Sequence, residues 1–313
     1  MNMVKEELFG MDPKVTKAVF MAKNAANKMI PVLIMGEMGI GKQSLGILIH
    51  QESTRHDKLC MIVDCAKNEK LVEDEILGFR DEDSGRFNKG ILERANGGTV
   101  ILKNIDGLTE NFQKKLHKIF LELTDYDIDV RILVTTAKNL SKLVGAGRFH
   151  RALYLYISEI QLMLPPLRER KDDIKFLTYR YLEECAREKM IEIPQITDEA
   201  MEKIVNYYWS HNVAELQAIL IGSINNMKDS VLTSDDLIIG ERKVIANGMD
   251  IDEDGIKLMS LKEAEKLLIK KALIHTSENR TQAARILGVS IRTLRNKINE
   301  YRNDGSNYFL NLR

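Results

Sequence analysis

Short apolar runs punctuate the first half of the chain. Pro31-Val-Leu-Ile-Met35, Cys60-Met-Ile-Val-Asp64, Thr99-Val-Ile-Leu102 and Arg131-Ile-Leu-Val-Thr135 each hold four or five residues rich in β-branched side chains. Segments of helical periodicity lie between them, such as the one carrying Leu45-Gly-Ile-Leu-Ile49. Buried strands alternating with amphipathic helices predict a parallel sheet with crossover helices, an α/β fold. After Pro165-Pro166 the strand signal fades and residues 171–240 read as helical, with Thr197 as N-cap of a segment running through Trp209. Residues 241–258 lack periodicity and carry Gly248, Gly255 and the acidic run Asp250, Asp252, Glu253, Asp254, which reads as a linker. Helical spacing returns over 259–303. The expected organisation is an α/β core over 4–170, a helical lid over 171–240, the linker, and a small all-α unit over 259–303.

Composition narrows the class. A chain of 313 residues with 44% hydrophobic and 29% charged positions has material for more than one core and is not a disordered or fibrous sequence. Three cysteines without ligand spacing offer neither a disulfide framework nor a zinc site, and the six histidines show no metal spacing. The first ten residues lack the features of a signal peptide, and no apolar run reaches the roughly 20 residues a membrane span needs. A cytoplasmic protein without a membrane partner is expected. Forty-six basic and forty-six acidic residues cancel overall, yet residues 261–302 hold ten Lys/Arg against four Asp/Glu, a local excess of six. Positive charge is gathered where a polyanion would bind.

Two stretches carry chemistry. Gly36-Glu37-Met-Gly39-Ile-Gly41-Lys42-Gln43 follows a strand and opens a helix. Its glycines let successive N–H groups turn towards an anion, the helix N-terminus adds its positive end, and Lys42 is placed to reach β- and γ-phosphates. Gly36, Glu37, Gly39, Gly41, Lys42 and Gln43 are therefore the candidate nucleotide-binding residues, although Gln43 stands where a hydroxyl is usual. Met38 in the loop is read as packing or solvent-facing, and Trp209 with Tyr207 and Tyr208 as lid core.

The other stretch is the terminal unit. Ser260 to Ile274 forms a long amphipathic helix suited to pack on a partner chain, and Asn279 to Leu287 a short one. Ala283 and Ala284 permit close helix packing, Gly288 suits the turn, and Ser290 caps a third helix. On that helix Leu294, Ile298 and Tyr301 share an inward face and leave Arg292, Arg295, Asn296 and Asn299 on the other. Such a helix fits the major groove of double-stranded DNA. Arg280, Thr281, Ser290, Arg292, Thr293, Arg295, Asn296 and Asn299 are the candidate DNA-binding residues.

The chain resembles the AAA+ domain of bacterial enhancer-binding proteins, the activators of sigma-54 RNA polymerase, over nearly its whole length. Gly36-Glu37 through Lys42 matches the family loop GExGxGKE, and Val63-Asp-Cys65-Ala66 matches V-N-C-A. Gly97-Gly98-Thr99 opens the Walker B strand, and Leu164-Pro-Pro-Leu-Arg-Glu-Arg170 and Trp209-Ser-His-Asn-Val-Ala-Glu-Leu216 match two further signatures. Residues 279–301 resemble the Fis-type helix-turn-helix of the family's flagellar-gene regulators. The resemblance implies an AAA+ P-loop sheet with a helical lid, followed by a DNA-binding helix-turn-helix.

It also exposes departures. The family's Walker B strand ends in Asp-Glu, which hold Mg²⁺ and polarise water. Here the residues are Lys103 and Asn104. An ammonium does not ligate Mg²⁺, an amide is no base, and Asp106 lies beyond the strand end. The trans-acting arginine positions hold His150 and Tyr156, with Arg151 one place out of register. Ala214 replaces the lid arginine, and Ala137 an asparagine beside Thr136. The sigma-contacting Gly-Ala-Phe-Thr-Gly-Ala loop is absent between Gly78 and Gly90. The expectation is a sequence-specific transcriptional regulator with a degenerate AAA+ domain, defective in hydrolysis and unable to remodel sigma-54 polymerase, with no catalytic and no metal-binding residues of its own. The alternative is a working ATP-driven sigma-54 activator. ATP or ADP remains the candidate ligand, with Mg²⁺ doubtful and Lys103 offering positive charge in its place. A homodimer or higher oligomer is expected, with an intact paralogous regulator or RNA polymerase as further partners and flagellar genes as targets. The resemblance begins almost at the first residue, so no sensor or receiver domain is expected ahead of it.

Overall fold

The computed structural model describes residues 9–81, 85–227, 230–239, 265–266, 268–269, 272–273, 276 and 279–303, with backbone alone at 226, 302 and 303. The chain divides into two compact units, Met1–Val244 and Ile245–Arg313. The linker read at 241–258 lies outside the described residues.

In the first unit, α1 (Pro13–Ala26) is capped by the Asp12 carboxylate and leads to β1 (Val32–Met35), α2 (Lys42–Gln51) and β2 (Cys60–Asp64). Next come α3 (Glu69–Leu77), a short hairpin of β3 (Gly78–Arg80) and β4 (Phe87–Lys89), and α4 (Ile91–Arg94). The hairpin occupies the stretch where the sigma-contacting loop is missing. β5 (Thr99–Lys103), α5 (Glu110–Glu122), β6 (Arg131–Thr136), α6 (Leu140–Gly145), α7 (Arg151–Ile157) and β7 (Ile160–Met163) complete the core.

The sheet is parallel throughout in the order β2-β5-β6-β1-β7. Its strands alternate their side chains between two hydrophobic layers. Val32, Ile34, Ile101 and Leu133 face α1, α2 and the lid. Leu33, Val100, Leu102, Ile132 and Val134 face α3, α5 and α7. Burial on both faces explains why these strands read as continuous apolar runs. At the start of β6, the buried Arg131 guanidinium donates to the carbonyls of Ala25 and Ala26 at the end of α1, the former shared with the Lys28 N–H.

The lid holds α8 (Lys171–Lys189), β8 (Gln195–Ile196), α9 (Asp198–Asn206), α10 (Asn212–Asn226) and β9 (Val231–Leu232). It departs from the sequence expectation twice. β8 and β9 pair in parallel inside a region read as helical, and α9, capped by Thr197 as expected, stops at Asn206 short of Trp209. Trp209 sits at φ 56 and is fully buried, its indole N–H donating to the Ile204 carbonyl at 2.9 Å. Tyr207 packs against it edge-on, while Tyr208 is exposed and lies under the Arg168 guanidinium instead of in the core.

In the second unit, residues 265–266, 268–269 and 272–273 are helical and are followed by α11 (Arg280–Ile286) and α12 (Ile291–Asn303). Ile269, Ala272, Leu273, Ala283, Ala284, Leu294, Ile298 and Tyr301 form its core. Gly288 turns the chain between the two helices at φ 65.

Candidate functional site

The crevice at the carboxyl ends of parallel strands is where open α/β sheets bind ligands. Here it is lined by the loop after β1, the last residues of β2, β5 and β6, and the start of α10.

Lys42, only 8% exposed, turns its ammonium back onto the loop and donates to the carbonyls of Gly36 and Glu37 at 2.7 Å each. Burial brings its pKa down to about 8; Asp106 pulls it upward and Lys103 pushes it further down. Gly39 takes φ 73, and a Cβ there would lie 2.0 Å from the His211 carbonyl, so only glycine lets α10 come this close. The Ala214 N–H donates to the Gly39 carbonyl at 3.0 Å, which puts the position of the family's lid arginine directly against the loop. Gln43 and Met38 are exposed.

The Glu37 carboxylate is engaged within the protein. Arg168 grips its carboxylate with both terminal nitrogens, one at 2.7 Å, and holds its pKa below the usual range. The buried Asn212 amide donates to Glu37 at 3.1 Å and to the Met38 carbonyl at 2.9 Å, and accepts from the Leu167 N–H at 2.7 Å. Glu37 is therefore a positioning residue, and Arg168 and Asn212 are site residues that the sequence shows only as parts of their signatures. These contacts join the loop, the L-P-P-L-R-E-R segment and the lid signature into one clamp.

At the strand ends, Asp64 and Lys103 are register partners across β2 and β5, with Nζ and Oδ2 3.3 Å apart. Asn104, at φ 57, donates its amide to the other Asp64 oxygen at 2.9 Å. Burial raises the Asp64 pKa, but the bonds from Asn104, the Ala66 N–H and Lys103 outweigh it and leave the carboxyl below its usual range. Val63-Asp-Cys-Ala66 departs from the V-N-C-A pattern at this residue, where Asp64 replaces Asn. In this chain the carboxylate stands at the end of β2 and the amide, Asn104, just past the end of β5, and the two are hydrogen-bonded. Asp106 accepts the Thr136 hydroxyl at 2.6 Å and pairs with Lys138 at 3.3 Å. Asp64 and Asp106 are thus each tied to a lysine, as Glu37 is to Arg168. A divalent cation does not fit this donor set, since the strand end offers an ammonium and an amide.

His150 and Tyr156 belong to an aromatic cluster. Tyr156 stacks on Phe120 with ring centres 5.6 Å apart, and His150 meets His117 edge-on at 5.7 Å. Arg151 is exposed on α7. Among the described residues no group of His, Cys, Asp or Glu is arranged to hold a metal ion, and no helix is long and apolar enough to cross a membrane.

In the second unit, Arg292, Thr293, Arg295, Asn296 and Asn299 are exposed on α12, opposite the buried Leu294, Ile298 and Tyr301. Asn279 caps α11 by accepting from the N–H groups of Thr281 and Gln282. Ser290 caps α12, accepting from the Thr293 N–H at 3.0 Å with its hydroxyl 2.8 Å from that of Thr293. These two hydroxyls set the angle of the helix start, while the arginines and asparagines present the open face. Thr281 is exposed and Arg280 half-buried at the start of α11.

Comparison with known proteins agrees with this geometry. Residues 8–163 match the Sigma-54 interaction domain, 168–242 the AAA+ ATPase lid domain, and 260–301 the bacterial regulatory proteins of the Fis family. Response regulator protein PilR of Pseudomonas aeruginosa is 31% identical over 94% of this chain and 69% of its own length. The chain belongs to the sigma-54 activator family of transcriptional regulators. Transcriptional regulatory protein FlbD of Caulobacter vibrioides, another relative, is 30% identical over 94% of this chain and 70% of its own. The structure of NtrX from Brucella abortus in complex with ADP superposes with a TM-score of 0.68 at 22% identity, covering 93% of this chain and 69% of that one, which shows a shared fold. Like its family, the chain is an AAA+ P-loop protein with a helical lid and a DNA-binding helix-turn-helix.

Proposed function

We propose that this chain is a DNA-binding regulator whose AAA+ unit has lost ATP hydrolysis and serves as a nucleotide-responsive scaffold. What carries the reading is the end of β5, where Lys103 and Asn104 occupy the positions of the family's metal-binding and water-polarising carboxylates and are both bonded to Asp64. The replaced arginine positions, His150 and Tyr156, support it independently. An arginine finger contributes about 10³–10⁵ in rate, and neither an imidazole packed on His117 nor a phenol stacked on Phe120 supplies a fixed cation. The short β3–β4 hairpin gives no counterpart of the sigma-contacting loop, so regulation proceeds by occupying DNA or by entering mixed assemblies with an intact paralogous regulator.

In this reading Gly36, Gly39, Gly41 and Lys42 cradle the phosphates of ATP or ADP; the related NtrX structure, a complex with ADP, supports that choice of ligand. Arg292, Arg295, Asn296 and Asn299 contact base edges and phosphates, Arg280 and Thr281 the backbone, and two copies pair to read two half-sites. The resemblance of 279–301 to flagellar-gene regulators makes flagellar promoters the first place to look. A genome-wide occupancy map of the tagged protein tests this. Discrete upstream sites that vanish in an Arg292→Ala, Arg295→Ala variant are expected, each arginine being worth about 1–3 kcal/mol of base discrimination. Uniform background occupancy by the native chain would refute it.

A further inference from the structure

We propose that the loop after β1 binds a nucleoside triphosphate free of divalent metal, with the Lys103 ammonium taking the place of the cation. This rests on the nucleotide reading above and specifies the ionic form of the ligand.

P-loop sites hold Mg²⁺ with the help of a carboxylate at the neighbouring strand end. Here that position is Lys103. The remaining carboxylates are already engaged, Asp64 by Lys103 and Asn104, Asp106 by Lys138 and the Thr136 hydroxyl. Four cations, Lys42, Lys103, Lys138 and Arg168, stand against three carboxylates, Asp64, Asp106 and Glu37. Four minus three leaves the crevice one positive charge in excess before any ligand enters. A divalent cation placed there is repelled, whereas a polyphosphate is attracted.

The two lysines nearest the loop also repel each other. Lys103 acts electrostatically on the buried Lys42 and makes its protonated form harder to keep. An anion between them removes that repulsion and supplies acceptors for both. Lys103 can take part, because its side chain is 37% exposed and its bond to the 30% exposed Asp64 is a partly solvated, weak ion pair. Lys138, 55% exposed, adds mobile positive charge at the end of β6.

Titrating the full chain with ATP by calorimetry, in EDTA and in millimolar Mg²⁺, tests the inference. Saturable binding in EDTA is expected, with excess Mg²⁺ leaving the affinity unchanged or weaker, since the metal neutralises the phosphates that the lysines attract. Lys103→Met should weaken binding in EDTA by about tenfold or more, the loss of one charge-assisted contact. Tighter binding in Mg²⁺ than in EDTA overturns metal-free binding and leaves the nucleotide reading intact. Absence of binding in both buffers overturns the two together. The comparison of buffers uses the native chain and holds whether or not the variant folds. A folded Lys103→Met chain that binds like the native one overturns the role given to Lys103.

Discussion

Asn104 presents its side-chain amide to Asp64, at two positions where the resembled motifs carry a carboxylate and an asparagine respectively. A carboxylate at 104 alone would face the Asp64 carboxylate at hydrogen-bonding distance with no proton to share. Asn104→Glu is therefore expected to destabilise the chain by about 1–3 kcal/mol, the cost of an unmet polar contact. Adding Asp64→Asn should return part of that loss, with a coupling of about 0.5–3 kcal/mol in a urea-unfolding cycle. Strict additivity would show that the bond between β2 and β5 contributes nothing. The substitutions at 103 and 104 were legible in the sequence, because a motif comparison exposes a changed residue. Their partner was not. Asp64 and Asn104 lie 40 residues apart, and only the parallel register of β2 on β5 brings them together.

At the scale of elements, the sequence marked β1, β5 and β6, which are buried on both faces, and the edge strand β2 by its apolar run, but missed β7 and the short strands. β7 pairs only with β1, and along Ile160–Met163 Leu162 alone is fully buried, so it shows no apolar run. β8 and β9 are two residues each, too short for any period to register. Periodicity misplaces the end of α9 because Trp209 looks like a continuation of the apolar face, whereas it is buried from a left-handed backbone position beyond the helix. The clamp on the loop was half visible. Its residues stand in recognisable signatures, but their shared target, Glu37, emerges only when α10 packs onto Gly39. Asn212 satisfies three groups from two other segments while fully buried. Asn212→Ala should lower stability by about 1–3 kcal/mol through the groups it leaves unpaired, read as a shifted denaturation midpoint. An unchanged midpoint would mean that the loop and lid are held by apolar packing alone.

For the molecule as a whole, the pattern of loss and retention is uneven. In the proposed reading, the positions that would serve hydrolysis are altered at the end of β5, around α7 and at the start of α10, three separate parts of the first unit. The second unit keeps a fully packed core under an exposed basic helix face. The groups that shape the phosphate loop, Glu37, Gly39, Arg168 and Asn212, are also kept, and they hold a fold that needs no catalysis to persist. Phosphate release by the purified full-length chain, given ATP, Mg²⁺ and DNA bearing its own site, measures the central claim. The account predicts release no faster than that of a Lys42→Ala variant under the same conditions. Magnesium-dependent turnover by the native chain that disappears in Lys42→Ala would contradict it.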